Sequence, residues 1–482
     1  MLNRLKGQAT IIATDPHDVA CVVASSGSNP VRRRRTVEGS CWQCKQRRVK
    51  CDLRKPTCGR CQASRTESCS YDKLLLRWKE HPTILPYTGF QLIKEYTLGG
   101  LPLAINERRA IDYFKARLWP LFSTVHEPCP PPIALALQSQ PVLQALCVFA
   151  EEHRALQERG SSKQTLERRR LHCLAAIRGQ LADDQAGISS LSALLVAVLL
   201  LYFLEGYVNC TKADASTQCH LTGALAIINT LGGFDTAWSV SDENSRMLLS
   251  ELASTDLTDA LLQSRRPSFP AMIWERMEIR SVWWEHIPGT VSLGAIFLTM
   301  AEMSFYHHEL QNGAEATNDK TRAFERALQP TYSTLEYISN SSFENVAEKE
   351  PFDPGSAASL SLVRAFQHAG LIYLYSAILK IPIKHFLVQQ HVHACLECIQ
   401  GMDTTSKAQN CALFPLYVAG AHSITDRHRS CVLQTLDMIY SNLRFQSVQS
   451  IRLALRRLWQ PGSGLGTWTD IFQNNAICTL VI

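Results

Sequence analysis

The sequence is poor in the features that mark most protein classes. No apolar run reaches the ~20 residues a helix needs to cross a bilayer. The most apolar stretch, residues 191–204 (LSALLVAVLLLYFL), is shorter and reads as a buried core helix. The first residues, MLNRLKGQATIIATDPHD, do not form a secretory signal, because their apolar run is short and lies beside acidic residues. Strand-like alternation is scarce. There is no zinc-protease helix, no phosphate loop with lysine and no nucleophile elbow, so the chain is expected not to be an enzyme. Charged residues make up only 19%, too few for a chain that is disordered throughout. These absences leave an expectation of a soluble, intracellular protein with no membrane partner.

What is present is ample core material and a basic head. The 482 residues are 46% hydrophobic, enough for two to four domains. The formal net charge of +6 is unevenly spread. Residues 31–80 hold fifteen Lys/Arg against five Asp/Glu, a local +10, so the remainder sums to −4. A small basic module on a large, slightly acidic body suggests a polyanion-binding head with a separate partner or regulatory domain. Of 17 cysteines, six fall within residues 41–69. The others are scattered, mostly in apolar helical runs, as at Cys147, Cys173 and Cys431. Buried free thiols are common in reducing compartments.

The six are Cys41, Cys44, Cys51, Cys58, Cys61 and Cys69, spaced C-x2-C-x6-C-x6-C-x2-C-x7-C, an internal repeat of three plus three. A two-residue gap lets two thiolates grip one metal from a single turn. Each half offers three thiolates, whereas structural zinc takes four. Two zinc ions sharing two bridging sulfurs remove the shortfall. A disulfide framework does not suit a long chain without a signal. A ring-type zinc site needs at least one histidine, and none lies between Cys41 and Cys69. An iron–sulfur centre would leave two cysteines unexplained. Unrelated buried thiols do not fit either, since nearly every neighbour is polar or charged.

The stretch resembles the fungal zinc binuclear cluster DNA-binding domain. It carries a basic helix, CKQRRVKC, between the second and third cysteines, and Pro56 two residues before the fourth. The resemblance implies Cys41 and Cys58 as the bridging ligands. One zinc would take Cys41, Cys44, Cys51 and Cys58, and the other Cys41, Cys58, Cys61 and Cys69. It also implies that Arg47 and Arg48 sit at base edges of guanine-rich triplets in double-stranded DNA, while Lys45 and Lys50 mainly touch phosphate. Relatives often carry lysine at the position of Arg48, and arginine differs in reach and fork geometry. Two zinc ions on six thiolates carry a formal −2, so the head stays near +8. So small a module must draw its folding free energy from the metal.

Upstream, Arg32, Arg33, Arg34 and Arg35 read as a nuclear import signal or an extra phosphate clamp. Downstream, DKLLLRWKEHPTILPYTGF holds no heptad zipper, and Pro82 and Pro86 break any helix, so a homodimer would have to form through the body.

From about residue 105 to 472 the pattern is helical. Val142, Leu143, Leu146 and Phe149 mark one face, and Leu221, Ala224, Leu225 and Ile228 another, ended by Gly232 and Gly233. Residues 235–268 read partly as a loop, and 312–321 as a polar break. PVLQALCVFAEEH, CHLTGALAIINTLGG, LFPLYVAGAHSITDRHRS and RLALRRLWQPGSGLGTWTDIF resemble the regulatory domain of fungal transcription factors related to arginine and sterol regulators. That resemblance implies an all-α domain that binds a small-molecule effector or transcriptional co-regulators. His391, Cys395 and Cys398 share a helix face, but Val388, Val392, Leu396 and Ile399 make the same segment an ordinary core stripe. GSGLG near Gly464 reads as a linker, and Arg168, Arg169 and Arg170 as a solvated helix face.

The expected organisation is therefore a disordered basic arm (1–36), the zinc module of short helices and loops (37–72), a linker (73–104), a large all-α regulatory domain (105–475) and a tail (476–482). The expected function is zinc-dependent, sequence-specific regulation of RNA polymerase II genes in the nucleus. A pathway-specific regulator, for instance of a secondary-metabolite gene cluster, follows only from the family's habit. The alternative is a zinc-stabilised scaffold that binds proteins rather than DNA.

Overall fold

Two units divide the chain, Met1–Gln91 and Leu92–Ile482. The computed structural model describes residues 40–41, 43–44, 47, 49–64, 69, 103–157, 163–181, 187–211, 217–277, 281–287, 290–330, 354–403, 406–460, 466–473 and 479–481. Residues 73–102 of the linker expected at 73–104, Arg32 to Arg35, Lys45, Arg48 and the GSGL part of the glycine-rich stretch lie outside the described residues.

Among its described residues the first unit has one short helix, α1 (Gly59–Ala63), and a helical turn at Gln43 and Cys44. Its buried core consists of cysteines alone, with Val49 and Cys69 packed beside them. Among the described residues no other apolar cluster is there to fold it.

The second unit is all-helical, with no strand among the described residues. Its first half comprises α2 (Ile105–Tyr113), α3 (Ile133–Gln138), α4 (Gln140–Gln157), α5 (Lys163–Leu181), α6 (Ile188–Phe203) and α7 (Thr217–Thr230). Next come α8 (Phe234–Val240), α9 (Glu243–Gln263), α10 (Ile273–Arg276), α11 (Leu293–Gln311) and α12 (Asn318–Leu328). The second half holds α13 (Pro354–Tyr373), α14 (Phe386–Gln400), α15 (Lys407–Asn410), α16 (Leu413–Ala421), α17 (Asp426–Leu443), α18 (Gln446–Leu458) and α19 (Trp468–Phe472). Helices α4, α5 and α7 pack around α6; α13, α14 and α18 pack around α16; α9 touches α6, α11 and α19. One apolar core runs through all of them.

The expected stripes are buried. Val142, Leu143, Leu146 and Phe149 are buried on α4, and Leu221, Ala224 and Ile228 on α7, with Leu225 only partly buried beside them. Helix α7 stops where Gly232 and Gly233 turn to positive φ of 103° and 96°. The 191–204 run continues through a wide π turn, so the helical segment Ile188–Val208 spans 21 residues. Its length alone would match a membrane. Its side chains from Ala193 onward are instead buried against α4, α7 and α9.

Three expectations are corrected. Residues 235–268 are mainly helical, as α8 and α9, rather than partly loop. The Ser, Thr and Asp content of α9 is accommodated inside the body. Ser254 and Thr255 donate to the carbonyls four residues back, at 2.5 and 2.9 Å, and Asp256 binds Arg265 and Ser268. Arg169 and Arg170 are not solvated either. They pair at 2.9 Å with Glu151 and with Glu205, the latter almost fully buried. Finally, the described end of the chain is not a free tail. Leu480 and Val481 are buried, Leu480 N–H and the Thr479 hydroxyl donate to Gly206 O, and Thr258 donates to Val481 O.

Candidate metal centre and nucleic-acid interface

The repeat seen in the sequence becomes a repeat in the backbone. Cys58 caps α1, and its sulfur accepts the Cys61 N–H at 3.4 Å. In the first half the Cys41 sulfur accepts the Cys44 N–H in the same i, i+3 relation. The third cysteine of each half arrives from a loop. Cys51 Sγ accepts Leu53 N–H, where Leu53 takes a left-handed φ of 62°, and Cys69 Sγ accepts Cys58 N–H, both at 3.4 Å. Four of the six sulfurs thus accept a backbone N–H, which stabilises thiolate over thiol. Asp52 ties the halves together by accepting Gly59 N–H at 3.0 and 3.1 Å, at the start of α1.

The sulfurs converge. Cys41 Sγ lies 3.6 Å from those of Cys58 and Cys61, and Cys44 Sγ lies 3.6 Å from that of Cys58. A disulfide is about 2.05 Å long, so none of these contacts is a disulfide. Four sulfurs around one zinc at about 2.3 Å stand about 3.8 Å apart, close to what is seen. All contacts fall into two overlapping groups within 4.8 Å: Cys41, Cys44, Cys51 and Cys58, and Cys41, Cys58, Cys61 and Cys69. Cys41 and Cys58 belong to both. Burial pushes the Cys44 thiol up to about 12 and raises Cys41 and Cys61 as well. At Cys58 burial acts the same way, but the Cys61 N–H and the neighbouring thiols outweigh it and hold the group at about 6. Metal must displace protons from most of the set, so its hold weakens in acid.

Among the basic residues, Lys50, Arg54, Lys55 and Arg60 are exposed around the cluster. Arg47 is exposed too, but its guanidinium folds back on the module. Nη1 donates to Ser64 Oγ at 2.6 Å, Nη2 to Cys61 Sγ at 3.4 Å and Nε to Gln43 O at 3.4 Å. Composition and spacing gave no sign of this link, because Ser64 lies seventeen residues away in sequence. Lys45 and Arg48 were named above as outside the described residues. The face marked by His391, Cys395 and Cys398 gathers no metal set among the described residues. His391 Nδ1 lies 3.0 Å from His368 Nδ1, and Cys395 is buried with its sulfur toward Ala365 O.

Residues 39–77 match the fungal Zn(2)-Cys(6) binuclear cluster domain, and residues 109–480 match the fungal specific transcription factor domain. The chain belongs to the fungal transcription factors built from these two domains. A zinc cluster domain thus precedes a transcription factor domain in one chain. It is 39% identical over 66 residues to arginine metabolism regulation protein II of Saccharomyces cerevisiae. That match covers 14% of this chain and 7% of the yeast protein. No solved structure matches the chain.

Proposed function

We propose that the regulator holds two zinc ions, one in each sulfur tetrad, with Cys41 and Cys58 bridging. The reading rests on one observation: six sulfurs form two four-sulfur groups that share those two residues. In this reading the metals fix the turn after Cys44 so that it enters the major groove. Arg48 and Arg47 read base edges, and Lys45 and Lys50 hold phosphates. Arg47 would have to release Ser64 and Cys61 to do so, which leaves Arg48 as the principal reader. Arg32 to Arg35 add phosphate contacts or an import signal. The site of action is the nucleus, on RNA polymerase II genes of one pathway, and a secondary-metabolite cluster fits that role. The helical body tunes the output through an effector, co-regulators or a second copy of the chain.

The test is a binding titration of the zinc-loaded full chain on duplexes carrying guanine-rich triplets and on random duplexes. Preference for the triplets, and an affinity for both that falls steeply as salt rises, is expected. Equal binding to all duplexes, or none at low salt, would sink sequence-specific reading and favour a protein scaffold.

A further inference from the structure

A second site stands out in the body. A cleft of about 530 Å³ opens between the turn after α2, the end of α4 and the junction of α17 with α18. That volume lies within the range of small-molecule sites, about 300–1,000 Å³. Its lining combines the apolar Ala116, Pro120, Leu121 and Leu156 with the polar Arg117, Arg444, Gln157, Ser441 and Asn442, most of them solvent-exposed. No acidic residue lines it.

Among the described residues neither arginine of the cleft meets a carboxylate, although the Arg444 guanidinium lies over the Tyr440 ring, 5.6 Å from its centroid. Arg117 and Arg444 have no ion-pair partner among the described residues, whereas Arg169, Arg170 and Arg265 of the same body all meet carboxylates. His153 at the floor does not titrate the cleft. Its Nε2 lies 2.8 Å from Leu443 O, which can only accept, so Nε2 carries the proton. Burial lowers the pKa of His153 and favours the neutral ring, in which Nδ1 accepts from the Tyr113 hydroxyl at 3.0 Å. Arg444 also occupies a backbone position that asks for another residue. It follows α17 at φ 57°, ψ 19°, where glycine or asparagine is least strained. An arginine kept there places a cation at the rim of the cleft.

We propose that this cleft binds a small organic carboxylate with an apolar body, its carboxylate between Arg117 and Arg444 and its apolar part against Leu121 and Leu156. Such a ligand would clamp α2, the first helix of the body, to α17. The inference rests on the proposed regulatory role of the body and supplies the chemistry of its effector.

The experiment uses the zinc-loaded full chain without DNA, so its result is independent of the DNA-binding reading. Naphthylacetate and its neutral amide are titrated by calorimetry into the parent, Arg117→Gln, Arg444→Gly and, as a charge control away from the cleft, Arg457→Gln. The expected result is saturable binding of the carboxylate, at least tenfold tighter than the amide. Each cleft variant should lose about tenfold, and the control should match the parent. Arg444→Gly suits the left-handed backbone, so its loss of binding should come without loss of thermal stability. Equal binding of acid and amide, unchanged binding in both cleft variants, or no binding at millimolar concentration overturns the proposal.

Discussion

Arg47 and Cys61 are joined by a hydrogen bond of 3.4 Å from guanidinium to sulfur, and they come from opposite halves of the cysteine repeat. Groups that bond metal-ligating atoms from outside tune how tightly the metal is held, typically by 10–100-fold in affinity. Arg47→Gln should therefore speed zinc transfer from the full chain to a chromophoric chelator by roughly tenfold. Arg47→Lys, with one donor group in place of a fork, should fall between. If both variants release zinc at the parent's rate, the inward bond is incidental and Arg47 acts only at the DNA surface.

The shared position of Cys58 makes a sharper distinction. Cys58→Ala removes a ligand from both tetrads, whereas Cys69→Ala leaves Cys41, Cys44, Cys51 and Cys58 intact. Zinc measured by elemental analysis of the purified chains should fall to a small residue in the first variant and to about half in the second. DNA binding should be lost in Cys58→Ala because the described residues of the module bury only cysteines and offer no apolar core to fall back on. Equal zinc content in the two variants would show that the tetrads do not share Cys58.

The cluster was legible because metal ligation is local: its spacing is written within thirty residues, and the sulfurs meet as the repeat requires. The stripes on α4 and α7 were legible for the same reason, since a helix face needs only its own period. What escaped depends on partners far away in sequence. Arg169 and Arg170 look like a solvated face until Glu151 and Glu205 arrive from other helices. Helix α9 reads partly as loop because its hydroxyls and carboxylates seem to demand water. They are satisfied instead by its own carbonyls, by Arg265 and by Tyr207. Gly420 has a reason that only packing shows: a Cβ there would lie 3.0 Å from Leu455 and Val432, on the helices crossing α16.

Glu251 gives the body a characteristic pH dependence. It is buried on α9 and accepts from the Tyr207 hydroxyl. Burial raises it to about 7, against the pull of the Tyr207 bond. An unfolded glutamate titrates near 4.3. Between those values the folded chain holds a proton that the unfolded chain has released, so this residue's contribution to stability declines as pH rises and is smallest above about 7. The full effect is about 4 kcal/mol. His307, His368 and His422 slope the other way. Burial holds them at about 4, so acid below about 6.5 favours the unfolded chain. The comparison of parent with Glu251→Gln cancels the histidines. From about pH 5.5 to 8.5 the variant should gain about 2 kcal/mol relative to the parent in denaturant unfolding. A difference that does not change with pH would mean that Glu251 is ionised throughout.

Gly206 and Leu480 test whether the end of the chain belongs to the core. A Cβ on Gly206 would stand 2.2 Å from Leu480 Cγ and 2.5 Å from its Cδ1, closer than any real contact. Gly206 O also holds the Thr479 hydroxyl at 2.8 Å and the Leu480 N–H at 3.3 Å. Gly206→Ala should therefore push out residues 479–481 and cost about 1–3 kcal/mol, as overpacking does. Leu480→Ala alone should also destabilise, by leaving a cavity. Combined, the two should cost less than their sum, because the smaller side chain makes room for the new methyl. Thermal unfolding of the four proteins measures that coupling. Strict additivity would mean that the two residues do not touch in solution, and that the final residues are dispensable to the regulatory body.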